Sequence, residues 1–145
     1  MKKVINLFEG NTLSIIDWEG QLEMAHKFDG KISYEIMNDP IRFNEEDLVE
    51  KVNIITAEIL KDYIKENITD EVAVIEGETV RIETFSYEIW IDVNLNEKTN
   101  KIEYFVSTAR LEAVQKGEVD YSEMEKNKNI RKTFKGLLNY IKRFQ

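Results

Sequence analysis

The sequence predicts an α+β protein: antiparallel strands in a β4-α-β3-α order, with two amphipathic helices packed on the sheet. Three observations predict it. Short segments rich in β-branched and aromatic residues fill positions 1–38 and are separated by Gly-containing turns. Helical apolar spacing runs over 45–66 and again over 122–143. A second β-rich block lies between them. At 145 residues the chain is expected to form one domain, 1–145, a length that buries roughly 68% of the unfolded surface.

The first block reads as a four-strand meander. Its turns are Glu9-Gly10-Asn11, Glu19-Gly20-Gln21 and Asp29-Gly30, the last suited to a two-residue turn with positive φ at both central positions. In the third strand Leu22, Met24, His26 and Phe28 share one face. A lone histidine on an apolar face is expected to be a core residue whose ring nitrogens find partners, before it is a ligand or catalyst.

Asn44 stands where a helix N-cap belongs, and Glu45, Glu46 and Asp47 fall at the positive end of the helix dipole. The stripe of this helix is Leu48, Val52, Ile55, Ile59 and Tyr63. Val49, Ile54, Leu60 and Ile64 widen it, so burial on more than one side is expected. Asn67 can end it.

The second block opens with Val72-Ala73-Val74-Ile75, turns at Glu76-Gly77-Glu78 and continues as one strand over about 80–95. Phe85, Tyr87, Ile89, Ile91 and Val93 alternate along it. Folding back over 96–100 so that Val93 faces Ile102 sets Ile91 against Tyr104, Ile89 against Val106 and Phe85 against Arg110. The other face then carries Trp90 opposite Phe105, rimmed by Glu88, Asp92 and Glu103.

The last element is expected to be one helix over 122–143, with Ile130, Phe134, Leu137, Leu138, Ile141 and Phe144 as its stripe. Lys128, Arg131, Lys132, Lys135, Lys142 and Arg143 then form a band about 120° wide. Gly136 would interrupt this helix at a cost of ~1 kcal/mol relative to Ala.

Charge is distributed unevenly. Residues 1–125 hold 13 Lys/Arg against 28 Asp/Glu, and 126–145 hold 7 Lys/Arg and no acid. The net charge is −8. The basic helix is expected to dock on the acid-rimmed Trp90 and Phe105 face of the chain itself, because its apolar stripe needs a surface. A nucleic-acid contact is disfavoured, since the anionic body would repel phosphate.

The chemical inventory is poor. There is no Cys, hence no disulfide framework, thiol nucleophile or thiolate metal site. The serines lie in no nucleophile-elbow setting, and His26 is the single imidazole. Phosphate-binding glycine loops and a calcium loop are absent, so no metal site and no cofactor is nominated. No apolar run approaches the ~20 residues of a membrane span, and the N-terminal segment is too polar for a signal sequence. A cytoplasmic location is the simplest expectation.

These observations argue against an enzyme and for a small protein-interaction module, an inhibitor, immunity-type or regulatory binder, whose anionic surface meets a basic protein. Glu88, Asp92, Glu103, Trp90 and Phe105 are the expected contacts, the aromatics as anchors. The alternative is a small-molecule site or minor enzyme. Its pocket would lie between the curved sheet and the helix at 45–66, with His26, Tyr34, Tyr87, Tyr104 and Arg110 as its polar groups. In that reading Arg110 is buried and needs an anionic partner.

Overall fold

The computed structural model describes residues 2–18, 21–28, 31–33, 45–68 and 72–144. These build an α+β protein with two antiparallel sheets and four helices. They fall into two compact units, 1–52 with 95–102, and 53–94 with 103–145.

In the first unit β1 (Lys2–Asn6), β2 (Thr12–Trp18), β3 (Gln21–Phe28) and β4 (Lys31–Ser33) form the expected meander, in that order. The register sets Ile5 opposite Leu13 and Ile15 opposite Met24. All four are buried together with Phe8, so the period-2 alternation has produced one apolar face. The β1–β2 connection needs two left-handed residues, Glu9 at φ 46° and Gly10 at φ 78°. Glycine takes that conformation without steric cost, and the Asn11 amide closes the turn on the Phe8 carbonyl at 2.7 Å. The Asp29-Gly30 turn, the Asn44 cap and Tyr34 lie outside the described residues.

Helix α1 (Glu45–Asn67) matches the expected span to within a residue. The Asn67 side-chain amide donates to the Tyr63 carbonyl at 3.1 Å in its last turn. Val52, Asn53, Ile55, Thr56, Ala57, Leu60 and Ile64 are all buried, a surface much wider than one stripe.

The second sheet has five strands: β5 (Val72–Glu76), β6 (Thr79–Glu83), β7 (Tyr87–Asn96), β8 (Lys101–Arg110) and β9 (Asn129–Arg131), neighbours in that order. The expected single strand over 80–95 is therefore two strands. Thr84 N–H donates to the Tyr87 carbonyl at 2.8 Å, and the Thr84 hydroxyl accepts from Tyr87 N–H at 3.0 Å. Together these fold the chain into a hairpin. Phe85, assigned by alternation to the apolar face, sits at its tip, 94% exposed. The misleading signal was the unbroken alternation; the informative one was the hydroxyl residues Thr84 and Ser86, which bond their own backbone in turns.

The loop from β7 to β8 closes where expected, with Asn100 N–H donating to the Asn96 carbonyl at 2.8 Å. At the other end Leu111 N–H donates to the Ser86 carbonyl at 2.9 Å, whereas the expected register would have set Ser86 against Ala109. Inward-facing Val80, Ile82, Ile89, Ile91, Val93, Tyr104 and Val106 are buried as a set.

The C-terminal third departs most from expectation. After α2 (Leu111–Gln115), in place of one helix over 122–143, it contains α3 (Tyr121–Lys126), β9 and α4 (Phe134–Lys142). Asp120 caps α3 by accepting from Glu123 N–H at 2.9 Å, and Thr133 caps α4 by accepting from Gly136 N–H at 3.0 Å. Two N-caps in one stretch specify two helices. A Cβ at position 136 would lie 3.1 Å from the Thr133 hydroxyl oxygen, so this glycine leaves room for the cap instead of interrupting a longer helix. Ile130 pairs with Phe105 on the sheet edge and is 49% exposed, while Leu137 and Ile141 are buried.

Candidate functional site

Strand alternation sorts the predicted site residues. Along β7, Ile89, Ile91 and Val93 face the core, and Glu88, Trp90 and Asp92 occupy the opposite face. The β6–β7 register adds Thr79 against Asp92, Arg81 against Trp90 and Glu83 against Glu88. On β8, Glu103 and Phe105 alternate with the buried Ile102, Tyr104 and Val106.

Part of this face is engaged by a cation of its own. The Arg81 guanidinium carbon stands 5.4 Å from the Trp90 ring centroid, and Arg81 Nε is 3.8 Å from Glu88 Oε1. Glu88 is buried, not a free surface acid. Glu103 is half-buried.

Towards the other end of β7 the same face opens into a cleft of about 450 Å³ whose walls include Glu78, Thr79, Asp92, Phe105, Glu125 and Lys128. Asp92 divides its carboxylate between two donors: Oδ1 accepts from the Thr79 hydroxyl and Oδ2 from the Lys128 ammonium. Glu125 Oε1 lies 3.9 Å from the same ammonium. Glu78 Oε1 accepts from Asn53 at 3.4 Å. The cleft thus has an aromatic wall, three carboxylates and one ammonium that the chain itself supplies.

The basic segment does not dock as expected. Of its cations, Lys128 reaches the acid-rimmed face, and it does so from the connection between α3 and β9. Arg131 lies over the Tyr140 ring, 4.6 Å from its centroid. Lys132, Lys135, Lys142 and Arg143 are exposed. Helix α4 and the Phe144 that follows it pack elsewhere: Phe134 meets Tyr63 edge-on at 5.2 Å, Phe144 meets Tyr87 at 4.9 Å, and the Tyr140 hydroxyl is hydrogen-bonded to that of Thr108 at 2.7 Å. Tyr87 and Thr108 belong to the alternation of Ile89 and Val106, so α4 sits against the core face and not over Trp90. Apolar area outweighs rim charge in choosing a docking face, because exposed ion pairs contribute only ~0.2–1 kcal/mol each.

The alternative pocket residues occupy unlike settings. His26 is half-buried, its Nε2 is 2.6 Å from Asn11 Oδ1, and burial lowers its pKa below the ordinary value. Tyr104 is almost wholly buried, its hydroxyl has no hydrogen-bond partner among the described residues, and burial raises its pKa. Tyr87 packs on Phe144. Arg110 is exposed, at a strand end near solvent and not buried as the pocket reading requires: β8 ends there and the chain turns into α2, whose N-cap position it takes.

Sequence reasoning missed Arg81, Glu78 and Glu125 on this face, and expected Lys128 there on a continuous helix instead of on the connection between α3 and β9. The first two were legible had the Thr84 turn been recognised, since a hairpin there places Arg81 across from Trp90. Glu125 and the setting of Lys128 depend on where α3 ends. Among the described residues no group of three His, Cys, Asp or Glu is placed to hold a metal ion, and no helix is long and apolar enough to cross a membrane. Comparison of the chain with family models, with curated proteins and with solved structures gives no match in any of the three.

Proposed function

We infer that the protein is a non-enzymatic binder that recognises a basic protein through the anionic face around Asp92 and Phe105. One observation carries this reading: the open cleft in which Glu78, Asp92 and Glu125 surround an aromatic wall. Carboxylates beside an apolar surface suit a cationic side chain, whose aliphatic stem packs on the ring while its charge meets the acids. The net charge of −8 supports it by steering cations towards the molecule. Of the expected contacts, Asp92 and Phe105 line the cleft, while Glu88 and Trp90 form a flank that Arg81 already engages. An inhibitory or immunity-type role in the cytoplasm belongs to the same proposal.

Titration with a mixed Lys/Arg peptide and with its Glu counterpart tests it. Binding of the basic peptide alone, weakening steeply with salt and lost in the Asp92→Asn, Phe105→Ala protein, is the expected result. No binding at low salt, or binding indifferent to those substitutions, rejects it.

A further inference from the structure

We propose that the cleft is a receptor for a lysine side chain, and that Lys128 occupies it as an internal competitor that a partner's lysine displaces. The proposal rests on the binder reading and specifies its chemistry. Three observations carry it. The Lys128 ammonium lies within the cleft, half-buried, against Asp92 Oδ2 and 3.9 Å from Glu125, which demonstrates on this chain's own group that the site accepts an ammonium. Asp92 Oδ1 already accepts from the Thr79 hydroxyl, so a cation that needs both carboxylate oxygens must share Oδ1 with that donor, while one that needs a single oxygen can use Oδ2 alone. A guanidinium binds carboxylate best through two parallel hydrogen bonds to both oxygens, whereas an ammonium is a point charge satisfied by one. The Thr79 hydrogen bond therefore favours lysine over arginine, whose second hydrogen bond would compete with it for Oδ1. Finally, Lys128 hangs on a short connection between the six-residue α3 and the three-residue β9, elements small enough for the ammonium to leave without dismantling the sheet.

Displacement exchanges one Asp92 ion pair for another, so the internal lysine lowers affinity for any external one by the strength of its own contact. The test uses labelled hexalysine and hexaarginine at low salt. Replacing the competitor by an uncharged chain of similar length, Lys128→Met, is expected to tighten hexalysine binding about fivefold, the gain expected from freeing a part-exposed ion pair. Asp92→Asn in that background should cancel the gain, and Thr79→Val should bring hexaarginine up to hexalysine. In the unsubstituted protein, hexalysine should shift the amide resonances of Thr79, Asp92 and Phe105, a readout that does not depend on how any variant folds. If Lys128→Met binds hexalysine no better than the parent, or if those resonances stay fixed while the peptide binds, the lysine receptor is rejected and the acidic-surface reading stands. If no basic peptide binds either protein, both are rejected.

Discussion

His26 and Asn11 form a polar pair whose protonation is set by a third residue. The Asn11 side-chain amide donates to the Phe8 carbonyl at 2.8 Å, so its Oδ1 faces His26 Nε2, 2.6 Å away, as an acceptor. His26 Nε2 therefore carries the proton in the neutral ring. Protonating Nδ1 leaves this bond in place, and burial lowers the His26 pKa below its ordinary 6.5. The unfolded chain then takes up the proton first as pH falls. Stability attributable to His26 is full above pH 6.5 and declines below it. Denaturant midpoints at pH 7.5 and 5 should show a fall in the parent that is smaller in His26→Gln. Asn11→Ala removes both bonds of a buried amide and should cost about 1–3 kcal/mol at either pH.

Tyr104 offers the opposite sign. Its hydroxyl is buried without a hydrogen-bond partner among the described residues, so Tyr104→Phe removes a desolvated group and leaves no new orphan behind. The substitution should be neutral or stabilising by up to about 1 kcal/mol in chemical denaturation. Because burial raises the Tyr104 pKa, the unfolded chain loses its proton first, and stability should fall as pH rises past about 10. Tyr104→Phe should soften that alkaline decline; an unchanged slope would assign it to other groups.

The divided C-terminal segment makes a contrast between two isoleucines that one amphipathic helix would treat alike. Ile141 is fully buried on α4 and Ile130 lies half-exposed on the edge strand β9. Ile141→Ala should cost about 2–5 kcal/mol, Ile130→Ala under about 1 kcal/mol. Equal costs in thermal unfolding would restore the single helix.

Arg81 links Trp90 to the buried Glu88. Arg81→Gln withdraws the cation and leaves the carboxylate in low dielectric; with Arg81 about a third exposed, the loss should be about 1 kcal/mol. Glu88→Gln added to it should recover most of that loss, since the stranded charge is gone. A double-mutant cycle by urea denaturation checks the coupling.

Local chemistry wrote much of this fold into the sequence. Period-2 alternation and the turn at Gly10 specified the β1–β4 meander, and helical spacing placed α1 to within a residue, because those signals depend on neighbours a few positions apart. Alternation also put Glu88, Trp90 and Asp92 on one face. Tertiary structure decided what that face meets. The Thr84 turn converted one strand into a hairpin and delivered Arg81 to Trp90. Asp120 and Thr133 competed with a continuous helix by capping two short ones, which freed Ile130 for the sheet edge and Lys128 for Asp92. The apolar side of α4 then took the core face, where buried area outweighs charge pairing. Periodicity reports which side of an element is apolar; which surface it covers is settled by contacts between residues distant in the chain.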